Sequence, residues 1–153
     1  MNTVLEAEAA ASVTVVVRRE IAASPAELFD AWLDPQALAI WMRPAGIQRT
    51  TAKTDARVGG RYEILMEGDQ TTYPHHGVYR LIERPRRLVF TWNSEATDGR
   101  ESLVTVDFLP QGASTEVVVT HERLPQGSGE SQTEGWTSAL ARLAERGTSE
   151  AAR

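Results

Sequence analysis

The sequence predicts one α+β domain: a first strand, a bent pair of short helices, the rest of an antiparallel sheet of six or seven strands, and a closing helix. Three observations predict it. Ser24-Pro25 and Asp34-Pro35 each set a capping side chain directly before a proline, which is how helices start. Between Arg61 and His121 apolar residues recur at every second position, the period of half-buried strands. After a loop containing Pro125, Gly127 and Gly129, Trp136, Leu140 and Leu143 return to helical spacing.

Each element follows in order. Val13 to Ile21 is rich in β-branched residues and reads as the first strand. Ser24 caps the first helix, Pro25 suits its first position, and Leu28, Phe29, Trp32 and Leu33 form its apolar stripe. Asp34-Pro35 opens a second helix through Leu38, Ile40, Trp41 and Met42, stopped by Pro44 and Gly46; the proline makes the pair bent. A strand is expected around Gln48 to Asp55, and Gly59-Gly60 marks a tight entry into the next.

There Tyr62, Ile64 and Met66 face one way and Arg61, Glu63 and Glu67 the other. From Gly77 to Glu83 the parity is ambiguous, with Tyr79 and Leu81 on one side and Val78 and Ile82 on the other. Leu88, Phe90 and Trp92 share a face, as do Val104, Val106 and Phe108, and Val117, Val119 and His121. The links Glu67-Gly68-Asp69, Arg84-Pro85-Arg86, Asp98-Gly99 and Pro110-Gln111-Gly112 are short, which favours hairpins. Ser131 and Glu134 are placed for a capping box on the last helix, and Gly147 for its stop. The domain then spans residues 13–146, between a flexible leader (1–12) and a flexible tail (147–153).

Composition narrows the function classes. The chain has 153 residues, 41% hydrophobic and 24% charged, with a net charge of -5, and so lacks the basic footprint of a nucleic-acid or anionic-lipid binder. It has no cysteine, which removes disulfides, thiol catalysis and thiolate metal sites. No apolar run approaches the ~20 residues that span a bilayer, and the Ala-rich start carries Glu6 and Glu8 rather than a basic signal, so the cytoplasm is expected.

Catalytic and metal signatures are weak. His75 and His76 are adjacent, so on a strand they point to opposite faces; they are expected at a loop tip, and His121 at the edge of the core. No HExxH spacing or carboxylate cluster supports a metal. Ser94, Ser102 and Ser114 have no recognisable base nearby in sequence, and Gly59-Gly60 lacks the Lys and Ser/Thr of a phosphate loop. No catalytic residue, metal ligand or cofactor is assigned.

The order of landmarks resembles a known family. Arg19-x-Ile21, Ser24-Pro25, Phe29, Asp34-Pro35, Trp41, Pro44-x-Gly46, Val58-Gly59-Gly60, Gly77, Leu88 to Trp92, Thr115, His121 and Gly135-Trp136 together resemble the SRPBCC (START-like, birch-pollen-allergen-like) superfamily. The resemblance is to the branch named after the C-terminal domain of the heat-shock-protein-90 ATPase activator. It implies a helix-grip fold, a curved antiparallel sheet around a long C-terminal helix with a cavity between them. Two positions depart from the family's habit. Met42 stands where a second aromatic is frequent, and Leu81 where many relatives carry a carboxylate.

The function expected is binding of a small apolar or aromatic molecule in that cavity, as carrier or sensor, by a monomer or homodimer. The helix stripe is narrow, so the space beneath it need not be filled by side chains. The expected walls are Trp41, Met42, Tyr62, Ile64 and Met66 on one side, then Phe90, Trp92, Val104 and Phe108. Val117, Val119, Trp136 and Leu140 complete them, with Tyr79 and His121 holding a polar end. Two alternatives implied by the resemblance stay open: a partner that regulates a chaperone ATPase, and a cyclase- or aromatase-like enzyme using the same cavity.

Overall fold

The computed structural model describes residues 12–151, with side chains described to residue 145. Its elements are β1 (Val13–Ile21), α1 (Pro25–Leu33), α2 (Pro35–Trp41), β2 (Arg49–Thr54), β3 (Arg61–Glu67) and β4 (Thr72–Glu83). They continue with β5 (Arg87–Ser94), a single 3-10 turn (Glu95–Thr97), β6 (Ser102–Gln111), β7 (Ser114–Leu124) and α3 (Gly129–Ala151). Seven strands form one curved antiparallel sheet in the order β1-β7-β6-β5-β4-β3-β2, with α3 gripped by it, so the helix-grip architecture holds.

Local chemistry explains the helix pair. The Ser24 hydroxyl accepts the Glu27 N–H at 3.2 Å, and the Asp34 carboxylate accepts the Gln36 N–H at 3.0 Å. The C-terminal carbonyls, which have no partner inside a helix, are met by side chains from elsewhere. Trp41 Nε1 donates to Ala31 O at 2.9 Å, while Thr50 and Thr54 of β2 donate to Met42 O and Leu33 O, each at 2.8 Å. A strand as polar as Arg-Thr-Thr-Ala-Lys-Thr is thus fastened to both helices by hydroxyls on one of its faces.

The alternating faces lie as expected. Tyr62, Ile64 and Met66 are buried, as are Leu88, Phe90 and Trp92, then Val104, Val106 and Phe108, and Val117, Val119 and His121. From α3 they meet Trp136, Ala139, Leu140, Leu143 and Ala144. The ambiguous parity of β4 is a bulge: Tyr79 pairs with Phe90 but Leu81 with Val89, so Arg80 is the extra residue and Ile82 returns to the core side.

Three expectations are corrected. The fourth strand begins at Thr72, not Gly77, which takes His75 and His76 out of a loop tip and into the sheet. The last helix begins at Gly129, so Ser131 sits inside its first turn and donates to Ser128 O at 3.0 Å instead of capping. That helix also runs through Gly147 to Ala151. A glycine inside a helix costs only about 1 kcal/mol relative to alanine, which does not oblige a stop. Residues 1–11 of the expected leader lie outside the described residues.

Candidate functional site

The interior divides into a closed half and an open one. Val104, Phe108, Val117, Val119 and Leu140 are at most 1% exposed and line none of the three cavities described below. Trp41 is likewise fully buried, with its ring 4.6 Å from that of Trp32. Trp32 in turn lies 5.8 Å from Trp136 in a stacked arrangement. The valines, Phe108, Leu140 and Trp41 make up the closed packing, and Trp32 and Trp136 carry it to the edges of the cavities.

His121 belongs to this closed half. Its Nδ1 accepts the Trp136 Nε1–H at 3.0 Å, and its Nε2 lies 2.7 Å from Ser102 Oγ, which donates to Trp92 O at 2.5 Å. Because Nδ1 accepts, the ring proton sits on Nε2 and points at Ser102, whose own proton is committed to the Trp92 carbonyl. The sequence left Ser102 without a base; the fold supplies an imidazole, but with the proton flow reversed from that of a nucleophile and its base. Burial pushes the His121 imidazole down to about 4, so it is neutral near pH 7. Both ring nitrogens are engaged, which leaves no tip for a ligand. The group clasps α3 to β5, β6 and β7.

The two tyrosines are also placed by the sheet. Tyr62 donates its hydroxyl to Thr91 O, and the Thr91 hydroxyl accepts the Val78 N–H at 2.9 Å. This insertion between β4 and β5 requires Gly77, where a Cβ would lie 1.9 Å from Thr91 O and 2.7 Å from the Tyr62 ring. Burial, with the nearby charge of Asp55, pushes the Tyr79 phenol well above its ordinary range. Tyr62, Ile64, Tyr79, Phe90, Trp92 and Met42 surround a pocket of about 10 Å3 with Trp32 and Leu38, the room of one water molecule. The deep aromatic chamber expected from the sequence is therefore nearly filled.

The open half lies where the loop after α2, the β3–β4 hairpin, the 3-10 turn and the first turns of α3 converge. One compartment of about 290 Å3 is bounded by the Pro44–Ile47 loop, Met66, Tyr73 to His75, and Ser94 to Ala96. A second, of about 130 Å3, lies between Met42, Trp92, Gln132, Trp136 and Ala139. Pro44, Met66 and His75 border both, so the two form one cleft. Of the expected wall residues, Met42, Met66, Trp92 and Trp136 reach it.

His75 is the group that sequence reasoning missed. It pairs with Ile64 on β3, so it shares the inward face with Tyr62, Gly77 and Tyr79. Carrying the alternation back two residues from Gly77 would have found it. Its ring lies 4.8 Å from that of Trp92, and its Nδ1 is buried without a hydrogen-bond partner. Burial pushes its imidazole below the ordinary value, opposed by the backbone at Ile64 and Tyr73. Among the described residues no three His, Asp or Glu side chains gather as an ion would need, and no helix is long and apolar enough to cross a membrane.

The profile of the family described as "Activator of Hsp90 ATPase homolog 1-like protein" matches residues 22–147. No curated protein matches the sequence. Among solved structures, one from Chromobacterium violaceum is 26% identical, covers 87% of this chain and 96% of that one, and superimposes with a TM-score of 0.75. One from Nitrosomonas europaea is 19% identical over 92% and 97% of the two chains, with a TM-score of 0.77. A structure described as an HSP90 activator from Plasmodium falciparum is 24% identical over 85% and 92%, with a TM-score of 0.68.

Proposed function

We propose that this chain, which belongs to the Activator of Hsp90 ATPase homolog 1-like family, binds a small apolar or aromatic molecule in the open cleft, as a cytoplasmic carrier or sensor. The observation that carries this reading is the cleft's larger compartment. It offers about 290 Å3 between largely apolar walls that also carry His75, Ser94 and Glu95, close to the lower end of small-molecule pockets at roughly 300 Å3. The aromatic floor of Trp92 and Trp136 in the adjoining compartment offers stacking surface to a planar occupant. The ligand thus sits at the open end of the grip and not deep beside Val104, Val117 and Val119.

Native mass spectrometry of gently purified protein tests this. A retained small molecule, absent from an Ala96→Trp variant in which an exposed rim residue is enlarged into the cleft, is the expected result. Equal retention by both proteins would move the site elsewhere. Regulation of a chaperone ATPase is a second reading, favoured by the family's name and the Plasmodium neighbour. An empty cleft together with a co-purifying chaperone would put it first.

A further inference from the structure

The open cleft carries an unmatched pair of polar groups. His75 on β4 and Ser94 on β5 stand directly opposite each other in the strand register, and both border the larger compartment. His75 Nδ1 is buried with no partner. Ser94 is only 8% exposed, and its hydroxyl proton has no acceptor. The adjoining turn is a capping box in which the Ser94 oxygen faces the Thr97 N–H, while Thr97 Oγ1 accepts the Ser94 N–H at 3.0 Å and donates towards the Ser94 and Arg100 carbonyls, so nothing there takes the Ser94 hydroxyl proton. Buried polar groups are nearly always paired in folded proteins, so two orphans side by side on a cavity wall point to a partner outside the chain.

We infer that the occupant of this cleft is a neutral phenol, a hydroxyl-bearing aromatic ring whose O–H donates to His75 Nδ1 and accepts from the Ser94 hydroxyl. This rests on the proposed ligand-binding role of the same cleft. Burial favours the neutral imidazole of His75, and the tautomer that would receive such a ligand carries its proton on Nε2 and offers Nδ1 as an acceptor. Ser94 beside it offers a donor. A hydroxyl is both donor and acceptor and satisfies the pair; a ketone accepts only and would leave Nδ1 facing a lone pair.

Charge argues in the same direction. Glu95 borders the compartment and, among the described residues, no Lys or Arg does, so a carboxylate entering would meet a like charge and find no counter-ion. The ring is specified by the walls: Trp92 lies against His75, and Tyr73, Met66 and Trp136 complete the surround.

The test is a fluorescence titration of the full chain with three matched probes: naphthol, naphthalene and naphthoate. Naphthol is expected to bind about tenfold or more tightly than either of the others, the discrimination of one well-placed polar pair. In His75→Phe and Ser94→Ala, naphthol should fall to the affinity of naphthalene while naphthalene itself is unchanged. Melting curves would confirm that both variants fold; should one fail to, the other carries the comparison. Equal binding of naphthol and naphthalene, or tightest binding of naphthoate, overturns the phenol assignment while leaving the cleft as a site. Binding of no probe, naphthalene included, overturns the ligand-binding reading itself.

Discussion

Two histidines of this domain sit in matching company and end in opposite states. His121 and His75 each face a serine on a neighbouring strand, and each ring lies close to Trp92, at 6.1 Å and 4.8 Å. Around His121 every polar atom closes on another within the chain, through Trp136, Ser102 and the Trp92 carbonyl. Around His75, Nδ1 and the Ser94 hydroxyl proton have no partner within the described chain, and a compartment of about 290 Å3 lies beside them. Polar groups buried in the first setting specify how α3 docks; the same groups in the second are left for the proposed ligand to satisfy. Residue type alone does not separate architecture from site. Whether the hydrogen bonds close does.

The largest test breaks the clasp. Trp136 is 4% exposed, stacks on Trp32 and donates to His121, so Trp136→Ala removes a large ring and orphans a buried nitrogen at once. A loss of ~3–5 kcal/mol in urea unfolding is expected. An unchanged midpoint would mean that α3 is not held where the closed half requires it.

Acid should separate the histidines from the carboxylates. The His121 imidazole has an ordinary value of 6.5 and a folded value of about 4, so between them the unfolded chain binds the extra proton and stability rises with pH. Its contribution is complete above about pH 6.5 and is lost as pH falls towards 4, amounting to about 3 kcal/mol for a group so enclosed. His75, also held low, acts with the same sign. Asp30, held low by Arg84, loses its contribution only below its ordinary 3.8. Stability measured against pH should therefore slope between about 6.5 and 4, and His121→Gln should flatten most of that slope. A slope that survives the substitution would assign it to other groups.

Much of this architecture can be read from local grammar, because caps, turns and alternation act over a few residues. Ser24 and Asp34 announce both helix starts, and the period-two faces from Tyr62 to His121 all reach the core. The strand start at Thr72 was illegible because Thr-Tyr-Pro-His-His lacks apolar alternation and contains a proline. Pro74 is tolerated because it precedes the first β4–β5 pair, His75 with Ser94, and is paired only on the β3 side, with Leu65. The clasp was illegible for another reason: Trp92, Ser102, His121 and Trp136 meet only through strand register and helix docking, which no spacing encodes. Trp32 was legible as core, but its place at the small inner pocket depends on how α1 packs against α3.

The last comparison enlarges one wall in each half. Val119 was expected to border the ligand, and on that expectation Val119→Trp would block binding and spare the fold. Its side chain is fully buried, set on β7 opposite Val106 and Val17, and borders none of the three cavities described above. A tryptophan there enters none of those three cavities and must displace neighbours packed at crystal-like density, at a cost of ~1–3 kcal/mol or more. Ala96 is exposed on the 3-10 turn at the cleft's rim, and its enlargement can swing into space that is already open. Its effect on stability should stay within about 0.5 kcal/mol, as for surface substitutions in general. Urea midpoints of the two variants, measured side by side, decide the matter. If Val119→Trp is as stable as the parent, the closed half has hidden room and the ligand has a deeper seat. If Ala96→Trp is the one that unfolds, the cleft is part of the core, and the difference between the two halves disappears.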